Sequence, residues 1–103
     1  MEDNMYEKLG FYKDNKNFGN QVIVYKGKQD YFVVIKDKEE TVYYFVDDNL
    51  EKIYPMNSFI KKIGFDYTEE HKVIDCIKVD LSLYGHSNCP EYLRKIIQNI
   101  IKS

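Results

Sequence analysis

The sequence predicts an α+β fold: an antiparallel β-meander of four to five strands, with a short middle helix and a C-terminal amphipathic helix packed on one face. Two observations support this prediction. Short segments rich in β-branched and aromatic residues alternate with polar turns, and the end of the chain repeats apolar residues at helical spacing. The chain has 103 residues, a length typical of one domain, so residues 1–103 are treated as a single domain with one core.

The meander is predicted from four segments that are dense in Val, Ile, Tyr and Phe. They are residues 21–26, 30–36, 41–47 and 50–54. Because their connections are short and polar, antiparallel hairpins are expected. Residues 76–84, CIKVDLSLY, alternate apolar and polar side chains, which indicates a further strand with one buried face. Residues 1–19 fit either a short helix or an edge strand.

Two helices are predicted after Pro55. The first is short: apolar residues recur at positions 56, 59, 60 and 63, and Gly64 follows as a C-cap. The second spans residues 90–102, where an apolar stripe lies opposite a polar face. The stripe consists of Tyr92, Leu93, Ile96, Ile97, Ile100 and Ile101. Since runs of Ile are poor intrinsic helix formers, we expect this helix to depend on packing against the sheet.

Composition excludes several classes of protein. The chain is 44% hydrophobic and 31% charged, which is typical of a soluble globular protein rather than a disordered one. No apolar run approaches the ~20 residues that span a bilayer, and the first ten residues are too polar for a signal peptide. A cytoplasmic location without membrane association is therefore expected, with the two Cys as free thiols.

The chain lacks Ala and Trp, has Arg94 as its only Arg, and is rich in Lys, Ile, Asn and Tyr. AT-rich codons supply these residue types, which suggests a low-GC bacterium, or a phage or mobile element within one. The net charge is −2. Because dedicated nucleic-acid-binding domains usually carry an excess of Lys and Arg, this charge makes nucleic acid a less favoured partner.

The segment GHSNCP, residues 85–90, allows two interpretations. In the favoured one it connects a strand to the last helix, since Gly85 permits a sharp turn and Pro90 suits a first helical turn. In the alternative, a zinc ion is held by the whole His and Cys complement of the chain. That complement is His71, Cys76, His86 and Cys89. We expect no cofactor, with zinc as a minority hypothesis.

No residue pattern in the chain indicates catalysis. Cys89 lies near a helix N-terminus and three residues after His86, but CPEYLR lacks the glycines and the spacing of a phosphate-binding thiol loop. The protein is therefore expected not to be an enzyme.

Aromatic strands and acidic turns favour a protein-binding role, because Tyr combines contact area with a polar tip. The expected partner-binding residues are Tyr31, Tyr43, Tyr44, Phe45, Asp47 and Asp48. The leading hypothesis is a small non-enzymatic protein-binding module that acts as an inhibitor, immunity or anti-defence accessory protein of a phage or mobile element. Its partner is another protein, and association of the chain with itself is left open.

Two alternative functions remain. A nucleic-acid-binding module would use basic and aromatic residues around the first two predicted strands, residues 21–26 and 30–36. Those residues are Tyr25, Lys26, Lys28 and Lys36. The other alternative is a zinc-stabilised structural domain.

Overall fold

A computed structural model of the protein describes residues 6–14, 20–36, 40–58, 60 and 80–102. They form a six-stranded antiparallel sheet, in which strand order follows chain order, and one C-terminal helix. The strands are β1 (Glu7–Asp14), β2 (Asn20–Lys26), β3 (Asp30–Lys36), β4 (Thr41–Asp47), β5 (Lys52–Pro55) and β6 (Ser87–Asn88). A 3-10 turn covers Leu81–Leu83, and helix α1 covers Glu91–Lys102.

The predicted α+β class, the antiparallel sheet and the C-terminal helix are confirmed. The predicted number of strands was too low. β1 settles the open interpretation of residues 1–19 in favour of an edge strand, at least from Glu7 to Asp14. Lys8 opposes Tyr25 and Gly10 opposes Val24, so Leu9 is an extra residue, a β-bulge. β6 adds a two-residue strand that pairs with β5.

No complete helix is defined over the predicted middle helix, because the described residues include only its beginning. Asn57, Ser58 and Ile60 are helical there, and the Ile60 N–H donates to the Met56 carbonyl at 2.9 Å, the hydrogen-bond spacing of an α-helix. Residues 61–64 of the predicted helix lie outside the described residues. The 3-10 turn lies further along the chain and is the one complete element between β5 and β6 in the described part of the chain.

The predicted strand 76–84 is wrong over its second half, and residues 76–79 lie outside the described residues. Leu81–Leu83 forms the 3-10 turn because Asp80 caps it. The Asp80 carboxylate accepts hydrogen bonds from the Ser82 N–H at 3.1 Å and from the Ser82 hydroxyl at 2.6 Å. Such local side-chain bonds compete with strand pairing, and they override the alternating pattern here.

Both faces of the sheet are buried over its centre. We call the buried residues on one face the helix-side cluster: Val22, Val24, Tyr31, Val33, Val46, Leu50, Ile53, Cys89, Leu93, Ile96 and Ile97. Those on the other face are the far-side cluster: Tyr6, Ile23, Tyr25, Phe32, Val34, Phe45, Tyr54, Met56 and Ile60. Within each strand, alternation places successive side chains on opposite faces.

Helix α1 crosses the helix side from the β4–β5 turn to β1. At its start, the Cys89 N–H donates to the Glu51 carbonyl at 2.8 Å, and the Arg94 Nε donates to the Leu50 carbonyl at 3.1 Å. Near the end of α1, the Ile100 side chain packs closely against Gly10 of β1. A Cβ built at position 10 would lie 3.3 Å from the Ile100 side chain. The helix is thus attached at both sides of the sheet.

A buried polar pair joins the chain before β1 to the start of β3. The Tyr6 hydroxyl lies 2.7 Å from Oδ1 and 2.9 Å from Oδ2 of Asp30, and both residues are buried. The Tyr6 ring also contacts Phe32 and Phe45 edge-on. Gly27 leaves room for this pair, because a Cβ at that position would overlap the Tyr6 ring and the Asp30 carboxylate.

We therefore expect Gly27→Ala to destabilise the protein by about 1–3 kcal/mol, the usual cost of overfilling a packed site. Gly85→Ala is the matched control, since a Cβ there would meet no atom within 4 Å. Urea unfolding of both variants measures the difference. Equal midpoints for the two would show that the site around Tyr6 and Asp30 is not tightly packed.

Candidate functional site

A partly exposed apolar area lies where the start of α1 meets β4 on the helix side. Tyr44 and Ile35 pack at the margin of the helix-side cluster. Val42 lies directly opposite Ile35, and Pro55 lies directly opposite Tyr44. Since directly opposed residues share a face of the sheet, Val42 and Pro55 also lie on the helix side. Tyr92 on α1 is 45% exposed. We call this area the Tyr44–Tyr92 surface, made of Ile35, Val42, Tyr44, Pro55 and Tyr92.

The phenol of Tyr44 remains neutral in this setting. Burial raises its pKa above the ordinary value of 10.0, and the neighbouring Tyr92 and Glu40 raise the pKa further. A neutral phenol donates and accepts hydrogen bonds at the edge of an apolar ring. The Tyr44–Tyr92 surface thus combines apolar area with a polar tip, the combination enriched at protein interfaces.

The structure separates the aromatic residues that the sequence grouped as partner-binding. Phe45 is fully buried and Tyr31 is 7% exposed, so both belong to the core rather than to a contact surface. Tyr43 lies on the far side, partly buried, and its ring stacks on Phe32 at 6.0 Å with an interplanar angle of 5°. Of these four aromatic residues, only Tyr44 belongs to the Tyr44–Tyr92 surface.

The two predicted acidic residues lie in the β4–β5 turn and differ in role. Asp47 accepts hydrogen bonds on Oδ1 from the N–H groups of Glu51 and Lys52, at 2.7 and 2.9 Å, so it orders the turn. Leu50 completes the turn at a φ of 60°, a conformation rare for a branched side chain. Asp48 is exposed and is the member of this pair that projects to solvent.

Sequence reasoning missed the exposure of Tyr92 and of the turn before β6. Tyr92 was assigned to the buried stripe of α1, although its position at the margin of that stripe was visible from the spacing. Leu83 was assigned to the buried face of a strand, yet it is 76% exposed, and the adjacent Tyr84 is 39% exposed. No sequence signal distinguished this turn from an alternating strand.

The residues of the nucleic-acid alternative do not form one patch. Tyr25 is buried in the far-side cluster. Lys26 and Lys36 lie at opposite ends of the β2–β3 pair, since Lys36 opposes Gln21 and Lys26 opposes Tyr31. Five strand steps of about 3.4 Å separate these ends by about 17 Å. Lys28 is exposed near the Lys26 end, and the Lys26 Nζ lies 4.8 Å from the centre of the Tyr31 ring.

The zinc alternative can be placed only in part, because His71 and Cys76 lie outside the described residues. Cys89 belongs to the helix-side cluster, and burial raises the pKa of its thiol. His86 is exposed, and its ring lies 5.4 Å from that of Tyr54, a far-side residue. His86 and Cys89 therefore face opposite sides of β6. Among the described residues, no three His, Cys, Asp or Glu side chains gather as a metal site.

Comparison of the chain with protein-family models, with curated proteins and with solved structures gives no match. Within the described residues, no helix has the length and apolar character needed to cross a membrane.

We expect native mass spectrometry of the purified protein to give the mass of the bare chain, because His86 and Cys89 face different sides of the sheet. The spectrum is recorded before and after treatment with a strong chelator. A mass excess of one zinc ion per chain, lost on chelation together with folding, would contradict the connector interpretation of GHSNCP. The Cys89→Ser variant then tests whether this thiol is a ligand.

Proposed function

We propose that the protein is a small non-enzymatic module that binds another protein through the Tyr44–Tyr92 surface. The observation that supports this most directly is the pair of partly exposed tyrosines at the junction of α1 and β4. One tyrosine is held by the sheet and the other by the helix. A partner that contacts both thus meets a rigid aromatic surface at little cost in side-chain entropy.

The β4–β5 turn is the second part of the proposed contact region. Its backbone is held by Asp47 on one side and by Arg94 on the other, while Asp48 projects outward. A negative charge on an ordered turn favours a basic partner surface and accelerates its association. We assign the binding energy mainly to the tyrosines and the orientation of the partner mainly to Asp48.

The non-enzymatic part of the proposal agrees with the environment of Cys89, the candidate nucleophile that the structure describes. A reactive thiol has a lowered pKa and is accessible, whereas Cys89 is 3% exposed and has a raised pKa. Its contacts assign it to the packing between α1 and the sheet. An inhibitor, immunity or anti-defence role remains a proposal that rests on the composition of the chain.

The test compares Tyr92→Ala with Gln98→Ala, since both positions are exposed on α1 but only Tyr92 belongs to the proposed surface. Tagged wild type and both variants are used to capture proteins from cells that encode the chain. We expect a protein that is retained by wild type and Gln98→Ala and lost by Tyr92→Ala. Calorimetric titration of that purified protein should then show binding about tenfold or more weaker for Tyr92→Ala, as for an interface hot spot.

Identical capture and affinity for wild type and Tyr92→Ala would contradict the proposed surface.

A separate experiment checks the nucleic-acid alternative: wild type is titrated with mixed-sequence oligonucleotides, and binding is measured by fluorescence anisotropy. Binding that weakens steeply with salt would favour that alternative.

A further inference from the structure

Strand β1 adds little burial to the sheet. Tyr6, directly before it, is 6% exposed and is the one buried residue among those of segment 6–14 whose burial the structure describes. The others are exposed or partly buried: Glu7, Lys8, Leu9, Gly10 and Tyr12. The neighbouring strand β2, in contrast, has residues 22–25 buried in succession. Beyond its backbone pairing with β2, β1 is therefore anchored mainly by the side chain of Tyr6.

The space that Tyr6 occupies lies past the end of β2. The Tyr6 hydroxyl donates to the carboxylate of Asp30 at the start of β3, 2.7 Å from Oδ1 and 2.9 Å from Oδ2. Gly27, between β2 and β3, leaves the room in which these two side chains meet, since a Cβ there would overlap both. A strand that pairs with β2 thus meets a site shaped for a tyrosine ring and its hydroxyl.

A second position on β1 also restricts the residue that can occupy it. Gly10 opposes Val24, and a Cβ at position 10 would lie 3.3 Å from the Ile100 side chain of α1. A larger side chain would add atoms beyond that Cβ and overfill the contact. The edge of β2 therefore favours an extended segment that carries a tyrosine and, four residues later, a glycine.

We propose that β1 is an exchangeable strand: it opens as a unit while β2 to β6 and α1 stay folded, and the edge of β2 that it uncovers binds β1 of a second copy of the chain. A second copy fits this edge because it carries the same tyrosine and glycine, so each contact re-forms between the copies. Exchange of identical elements is a low-cost route to dimers, since no new contact surface has to be built. The proposal is independent of the proposed function, because the Tyr44–Tyr92 surface contains no residue of β1 or β2.

Opening of β1 leaves most of the packing in place. Among the described residues of segment 6–14, Tyr6 alone belongs to a buried cluster, the far-side cluster. The helix-side cluster, which joins α1 to the sheet, keeps all its members when β1 leaves. Segments with few buried contacts open at a lower free energy than the whole chain. The backbone groups of β2 that lose their partners are then available to another strand.

Native-state hydrogen exchange tests the opening, with the backbone amides of β1 as the readout and those of α1 as the reference for global unfolding. In wild type we expect β1 to open about tenfold or more often than α1. Val46→Ala removes packing of the helix-side cluster that the open state keeps, so it should speed exchange in α1 and leave β1 unchanged. Tyr6→Phe removes a contact that both the open state and the unfolded chain lack, so it should raise both opening constants by about tenfold.

Equal opening constants for β1 and α1 in wild type would overturn the proposal. So would equal increases in both for Val46→Ala, because β1 would then be released only by global unfolding.

Exchange between copies is tested with natural and isotope-labelled wild type, incubated together at high concentration and analysed by native mass spectrometry. We expect mixed dimers with one chain of each kind. A synthetic peptide of residues 6–14, added in excess, should occupy the uncovered edges of β2 and abolish these dimers. The same peptide with Gly10→Val should leave them, because valine would crowd Ile100. Monomers alone, dimers that persist with the unaltered peptide, or equal loss with both peptides would overturn the proposed exchange.

Discussion

The structure depends on one constraint: the central strands β2, β3 and β4 carry apolar side chains on both faces, so both faces must be covered. The buried part of β3 shows this best, since Phe32 and Val34 face one side while Tyr31 and Val33 face the other, and all four are buried. Helix α1 covers one face. Among the described residues, Tyr6, Met56, Ile60 and the partly buried Leu81 contribute to the cover of the other.

Each cover is attached to the sheet by polar contacts as well as by apolar packing. Arg94 holds the start of α1 by donating to the carbonyls of Leu50 and Cys89. On the far side, the Tyr6 hydroxyl meets Asp30 in a buried environment. Hydrogen bonds of this kind contribute modestly when formed but are costly to lose once their partners are buried. They therefore define where each cover sits, while the apolar clusters supply most of the stabilisation.

The sequence predicted those features that have a regular period. Strands β2 to β5 and helix α1 were found near their observed bounds, because paired apolar runs and a helical stripe leave few alternatives. β1 remained undecided because the extra residue Leu9 breaks its alternation. Leu83 was misplaced because the Asp80 carboxylate accepts hydrogen bonds from Ser82 and turns the chain where the alternating pattern continues. In strands with two apolar faces, the pattern alone does not distinguish the partly exposed Tyr44 from the buried Tyr31. The candidate site could therefore be located only from the position of α1.

The sequential order of the sheet has a consequence for the biosynthesis of the chain. Strands β1 to β5 are joined by short connections, so each can pair with its predecessor as soon as it is made, and such local pairing favours rapid folding. Helix α1 follows the whole sheet in the chain. The apolar residues beneath it thus remain uncovered until translation has passed the helix. A nascent chain that stalls before residue 91 is accordingly a candidate for chaperone binding or aggregation.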